Sequence, residues 1–319
     1  MHHSPQCNHT VGLSRRVLLR GVAGTSLLMP LSSQRTLLAA APISIAISIP
    51  ILQDIVANIV GDKANLFSIM PANADPHTWE AAPEDMVRVT EADAFISIGA
   101  TLEPFVETGG WRRTVRDNNI PEFVVTNHVE LIVVDEVIDH GDHVHDLRGG
   151  DPHIWLDPLT IVQAVPAITT FLGELDTDNA AIYVENADAY VKQLEALHAN
   201  LSQAFADIPA ERRKLLVFHD AFRYFAARYD FEIIGIVLEH PDGEASAQDI
   251  ADLLGVIEES GVDVVFAEPQ FNTSVLDVLE QEGDVRIATL LTDSFGEGVD
   301  TYIGLMEFNR DQLVEYLGS

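Results

Sequence analysis

The sequence predicts an α/β protein of two lobes with mostly parallel sheets, joined by one long rigid helix, and three observations predict it. Short apolar runs alternate with helix-like segments from about residue 43. The alternation restarts near Lys214, and the thirty residues from Asn179 to Ile208 between the two series contain neither Pro nor Gly. Strands alternating with helices read as parallel βα units. A length of 319 residues suits about two domains, on a prior of ~150 residues each.

In the first series, residues 44–49, 65–69, 94–98 and 123–125 read as strands, and 51–60, 83–92 and 103–115 as helices between them. The second series runs strand 215–218, helix 221–228, strand 231–237, helix 247–260, strand 262–267, helix 274–282, strand 286–291 and a final helix from about 300 to 317. Between them Tyr183, Ala187, Tyr190, Leu194, Leu197, Leu201 and Phe205 recur at spacings of three or four, the apolar stripe of an amphipathic helix. Asp176, Thr177 and Asp178 offer N-caps and Pro209 stops it. Thirty helical residues span roughly 45 Å at ~1.5 Å each. The expected organisation is therefore an N-terminal lobe at 42–177, an interlobe helix at 178–208 and a C-terminal lobe at 209–319, with little freedom for wide hinge opening.

Charge is unevenly placed. Residues 1–41 carry Arg15, Arg16, Arg20 and Arg35 and no acidic residue, so the other 14 basic residues face all 50 acidic ones. A basic start, the weakly apolar residues 21–31 and then Ala39-Ala40-Ala41 read as a signal peptide. Ser14-Arg15-Arg16-Val17-Leu18-Leu19-Arg20 resembles a twin-arginine export signal. Residues 1–41 are accordingly expected to be removed, taking His2, His3, His9 and Cys7, the one cysteine, with them. The protein is expected to be exported, to a periplasmic or other extracytoplasmic compartment, and to be soluble and monomeric there. A net charge of −32 argues against nucleic acid as partner, because phosphate binding needs clustered Lys and Arg. Only Lys63, Lys192 and Lys214 are lysines, and so acidic a surface repels itself unless salt screens it, which points to a salt-rich habitat.

Nine histidines follow residue 41, and three of them stand where chemistry gathers. The apolar run 66–70 opens into a loop holding Asp75-Pro76-His77, the run 215–218 leads straight into His219, and the run 287–291 leads through Thr292 into Asp293. Ligands of open α/β sheets bind beyond the carboxyl ends of strands. His153 lies in Asp151-Pro152-His153-Ile154-Trp155, which echoes Asp75-Pro76-His77-Thr78-Trp79. Proline stiffens the approach to each histidine, and the tryptophan two residues on can help exclude water. Three imidazoles and a carboxylate suit Zn2+, whereas Mg2+ and Ca2+ want mostly oxygen. Four protein donors leave no open position for a reactive water, which favours carrying metal over using it. Consistent with that, the sequence has no His-Glu-x-x-His, no Gly-x-Ser-x-Gly and no Gly-rich phosphate loop. A zinc hydrolase is the enzymatic alternative, with Glu268 as its one plausible base. His128, His198 and His240 have no motif around them, and His198 is expected to face solvent.

Ala74-Asp75-Pro76-His77, the octapeptide Asp151-Pro152-His153-Ile154-Trp155-Leu156-Asp157-Pro158, Phe218-His219-Asp220-Ala221-Phe222-Arg223-Tyr224-Phe225 and Phe266-Ala267-Glu268-Pro269-Gln270-Phe271 carry a resemblance. Together with Ile98-Gly99, Leu102-Glu103-Pro104 and Tyr302-Ile303-Gly304-Leu305-Met306, they resemble the ZnuA/TroA-type family, the metal-specific solute-binding proteins of zinc and manganese ABC importers. The resemblance implies two α/β lobes bridged by one long helix, metal in the cleft, a membrane permease as partner and no enzymatic activity. It implies His77, His153 and His219 as ligands, with Asp293 in the fourth place, although some zinc members use water there. Manganese-type members carry Glu at the position of His219, so histidine there implies Zn2+, with Mn2+ or Fe2+ the rival cargo. Ser294-Phe295 departs from the Pro-Leu more often found after the acid. Glu268 ends a strand and is read as standing behind the ligands. The loop Asp139-His140-Gly141-Asp142-His143-Val144-His145-Asp146 offers His140, His143 and His145 as an auxiliary metal-capturing tract, shorter than the one zinc members often carry.

Overall fold

In chain order the elements are β1 (Ile43–Ile47), α1 (Pro50–Val60), β2 (Ala64–Ser68), α2 (Pro83–Thr90), β3 (Ala94–Ser97), α3 (Pro104–Glu107), α4 (Trp111–Asp117), β4 (Glu122–Val124), β5 (Val137–Asp139) and β6 (Val144–Asp146). They continue with α5 (Pro158–Leu175), α6 (Ala180–Ala206), β7 (Lys214–Val217), α7 (Arg223–Tyr229), β8 (Glu232–Ile236), α8 (Ala247–Ser260), β9 (Val264–Ala267), α9 (Ser274–Gly283), β10 (Arg286–Thr289) and α10 (Tyr302–Leu317). The structure is a computed structural model that describes residues 41–318 apart from 109, 135–136, 140–143, 239–245 and 272–273. The expected signal segment, its histidines and Cys7, together with His140, His143 and His240, therefore lie outside the described residues.

Two four-stranded parallel sheets form, in the orders β2-β1-β3-β4 and β10-β9-β7-β8. Strands buried on both faces read as unbroken apolar runs, as β3 and β9 do, with every residue buried. The connecting helices are punctuated where their sequences say. Pro50 opens α1 and Gly61, at a positive φ of 57°, ends it. Ser246 and Asp249 form a reciprocal capping box on α8, and Gly261 closes it. A small antiparallel hairpin, β5–β6, stands apart and pairs Ile138 with His145.

The long helix α6 covers 27 residues, about 40 Å at ~1.5 Å per residue. Its buried residues are the seven of the predicted stripe. It packs against α5, α1 and the last helix, α10. One hydrophobic core runs through β1, β3, β7 and β9 as well as α1, α5, α6 and α10, and so underlies both sheets. Two further clusters fill the remaining faces, one beneath α8 and α9, the other around Trp111, Phe95 and Phe105.

Three local readings differ from expectation. The helix expected over 103–115 is broken into α3 and α4: the backbone turns extended at Thr108, and Gly110 then adopts φ +84°, a left-handed conformation that glycine accepts without steric penalty, just before α4 begins. Helix α5 is additional to the predicted elements. It starts at an Asp157 N-cap followed by Pro158, tolerates Pro166 inside, and buries Ile161, Ala164, Val165, Ile168 and Leu172. By length and composition α5 could cross a membrane, but it is a core helix packed on α6. Asp176 belongs to the end of α5 rather than capping α6, and its carboxylate accepts from Asn179 Nδ2 (2.7 Å) and the Tyr183 hydroxyl (2.8 Å).

Candidate metal centre

The carboxyl ends of both sheets supply the site. The chain leaves β2 into an irregular loop that ends at His77. It leaves β7 through Phe218 to His219, and β10 through residues 290–292 to Asp293. In the second sheet, β8 lies on one side of β7 and β9 on the other, so His219 and Glu268 follow the two strands that flank the switch in strand order. Crevices form at such points because successive connections leave on opposite faces. His153 arrives differently, at the start of a 3-10 turn just before α5.

His77, His153, His219 and Asp293 are all buried, and one donor atom from each lies within 4.8 Å of every other. His153 Nε2 is 3.3 Å from His77 Nε2, and the Asp293 carboxylate stands 3.2 Å from His219 Nε2, 3.7 Å from His77 Nε2 and 3.9 Å from His153 Nε2. Both Asp293 oxygens and His219 Nε2 have no hydrogen-bond partner among the described residues, although each is shielded from water. Buried polar atoms are normally paired. Two unpaired carboxylate oxygens converging on one point, with three imidazole nitrogens around them, form a donor set that could hold a cation.

The ring orientations are fixed from behind. His153 Nδ1 lies 2.8 Å from Asp151 Oδ1, and His219 Nδ1 lies 2.7 Å from Glu268 Oε1. Each carboxylate holds the Nδ1 proton and so turns Nε2 toward the common centre, as outer carboxylates do for metal-binding histidines. Glu268 is 1% exposed and its other oxygen accepts from Gln270 Nε2 at 2.9 Å and from the Thr292 hydroxyl. The Trp155 indole N–H donates to the Thr292 carbonyl (2.9 Å), one residue before Asp293, and the Trp155 ring stands edge-on to His153.

Electrostatics agree with the geometry. Burial by itself would lower the His219 pKa, but the Glu268 and Asp293 carboxylates outweigh it and raise it well above the ordinary histidine value. Burial, and secondarily the Asp293 charge, push Asp75 up to about 7. A site that attracts protons this strongly is one that awaits positive charge.

The structure therefore brings together all four residues singled out from the sequence and puts Glu268 behind them, bonded to His219. Of the three loop histidines only His145 has a described position, on β6. His198 departs from expectation: it is half-buried, with Nδ1 3.3 Å from the Tyr229 hydroxyl, and burial lowers its pKa. Sequence reading missed Asp75 and Asp151 as partners of the histidines. The signal was present in the repeated Asp-Pro-His, where the aspartate reaches the backbone N–H two residues on in both copies, at 3.0 Å and 2.9 Å.

The molecule has relatives of known kind. The family model ZnuA, described as zinc-uptake complex component A, periplasmic, matches residues 45–316. The manganese-binding lipoprotein MntA of Halalkalibacterium halodurans is 31% identical over 279 residues, 86% of this chain and 88% of that protein. The manganese ABC transporter substrate-binding lipoprotein PsaA of Streptococcus pneumoniae serotype 4 is 29% identical over 278 residues, 84% of this chain and 86% of its own. Among solved structures, the periplasmic zinc-binding protein TroA from Treponema pallidum superposes with a TM-score of 0.75 at 26% identity, covering 88% of this chain and 100% of TroA. A crystal structure of ZnuA gives 0.73 at 27% identity, covering 87% and 100%. A match that begins inside β1 and ends inside α10 takes in both sheets and the helix between them, so the chain belongs to the ZnuA family: it is a metal-binding substrate-binding protein of an ABC transporter and not an enzyme.

Proposed function

We propose that His77, His153, His219 and Asp293 together hold one Zn2+ as cargo, which the protein delivers to the membrane permease of its importer. The observation that carries this reading is the convergence of four donor atoms from four separate segments within 4.8 Å, all buried. Three nitrogens and one oxygen suit zinc's tetrahedral preference, whereas Mn2+ favours oxygen-rich shells and stands lowest in the general affinity order of divalent metals. MntA and PsaA are named for manganese, and TroA and the ZnuA family model for zinc, so Mn2+ in this same site is the second reading. The Arg15-Arg16 motif and the charge asymmetry of residues 1–41 support export by the twin-arginine route, with the mature protein acting outside the cytoplasm as a monomer.

Calorimetric titration of metal-stripped protein separates the cargoes. One equivalent of Zn2+ should bind at least 100-fold more tightly than Mn2+, the direction the donor set dictates. Equal or tighter Mn2+ binding would overturn the zinc assignment, and a stoichiometry unaffected by removing these side chains would overturn the site.

A further inference from the structure

The segment that carries His153 is gripped from the opposite half of the chain by one face of α7, the helix that begins four residues after His219. The Tyr224 hydroxyl donates to the Asp151 carbonyl (2.9 Å) and accepts from the Ile132 N–H (3.0 Å), while the Asp151 N–H donates to the Ile132 carbonyl (2.8 Å). These three bonds close a ring around Asp151, the residue whose carboxylate holds His153 Nδ1 and the His153 N–H. One helical turn further on, Arg228 places Nε and Nη2 at 2.9 Å and 2.6 Å from Asp157 Oδ2. Asp157 in turn caps α5 by accepting from the Leu159 N–H at 3.0 Å and the Thr160 hydroxyl at 3.1 Å. Tyr224 and Asp157 are 4% and 2% exposed, so the Tyr224 bonds are shielded from water, whereas Arg228 reaches the buried Asp157 carboxylate from the surface.

Residues four apart on a helix share a face. Tyr224 and Arg228 thus seize the two ends of the segment 151–157, and His153 sits between them. No donor in this arrangement is a metal ligand, yet each bond bears on where His153 points. We infer that Tyr224 is a positioning residue for metal binding: acting through Asp151, and with Arg228 holding the far end, it ties His153 to the half of the molecule that supplies His219, so that these two rings keep a fixed relation to one another. The inference rests on the proposed ligand set.

The test is a double-mutant cycle on Zn2+ affinity, read by competition with a chromophoric chelator. Interacting residues are non-additive and independent ones add. Tyr224→Phe removes the hydroxyl and keeps the ring, and should weaken Zn2+ binding about tenfold, the lower end of what loss of an outer partner does. The same change should weaken binding about tenfold in a His77→Ala background and have no effect in a His153→Ala background. A loss that persists undiminished in His153→Ala, or no loss in the wild-type background, overturns the inference. A general loss of stability would instead weaken all three backgrounds alike. Arg228→Gln provides a second variant with the same expected dependence on background should Tyr224→Phe fold poorly. If His77→Ala and His153→Ala themselves bind Zn2+ like the wild type, it is the ligand set that fails, an outcome distinct from failure of the positioning role.

Discussion

Asp75-Pro76-His77 and Asp151-Pro152-His153 fold alike because aspartate is short enough to accept from the N–H two residues on, and proline holds the chain in the shape that permits it. The tripeptide is thus a histidine mount, which is why its repetition in the sequence carried information that either histidine alone did not. His77→Ala or His219→Ala should lower Zn2+ affinity by more than the ~10–100-fold expected for loss of an outer partner, and Glu268→Gln should fall within that range, all measurable by chelator competition. The pH response has a definite sign. His219 and Asp75 both hold protons more tightly in the folded, metal-free protein than they would unfolded. The stability they contribute is full below their unfolded values and is lost as pH rises through the folded ones. His198, lowered by burial, opposes this only near and below the ordinary histidine range. The melting temperature of stripped protein should therefore fall from about pH 6 to about pH 8, while Zn2+ affinity rises over the same interval because metal displaces those protons. A melting temperature that climbs across that interval without metal would show that the site does not hold its protons.

At the scale of elements, regular signals were legible and irregular ones were not. The α6 stripe was readable in full because nothing interrupts a period of 3.6 over 27 residues. Helix α5 escaped because it is apolar over much of its circumference, with Phe171, Val162 and Ala167 around the buried face, and because Pro166 inside it reads as a helix breaker. The α3–α4 break combines an extended Thr108 with a positive φ at Gly110, backbone states that a count of helix formers passes over. Leu194 is fully buried in the centre of α6, and Leu194→Ala should destabilise the protein by about 2–5 kcal/mol in chemical denaturation, through lost burial and the cavity left behind. Gly99, at φ +90°, has Val124 Cγ1 and Thr126 Oγ1 at 2.3 Å and 2.6 Å from where a Cβ would lie. Gly99→Ala should accordingly disrupt the turn between β3 and α3, seen as loss of soluble protein or a markedly lower denaturation midpoint.

For the whole molecule, one core shared by both sheets joins the two lobes, with α6 and α10 as common walls. Tyr302 adds a seam, donating its N–H to Asp54 (2.8 Å) and its hydroxyl to the Trp155 carbonyl (2.5 Å). Against this cohesion stands a net charge of −32 spread over an acid-rich exterior. Repulsion among exposed charges falls as the screening length shortens from ~10 Å at 0.1 M salt to ~3 Å at 1 M. The melting temperature should rise between low and molar salt, and a scan showing no rise would remove the case for a salt-rich habitat.

The sequence by itself determined the α/β class, the long helix, and which four side chains were candidates for the metal, because period, proline placement and strand ends are local properties of the chain. Tertiary structure decided that residues more than two hundred positions apart meet at one buried point, that Asp151 and Glu268 aim the rings, and that Tyr224 reaches across to hold His153. Those outcomes depend on distances that no local pattern encodes: they arise only when two sheets bring their carboxyl ends face to face over a common core.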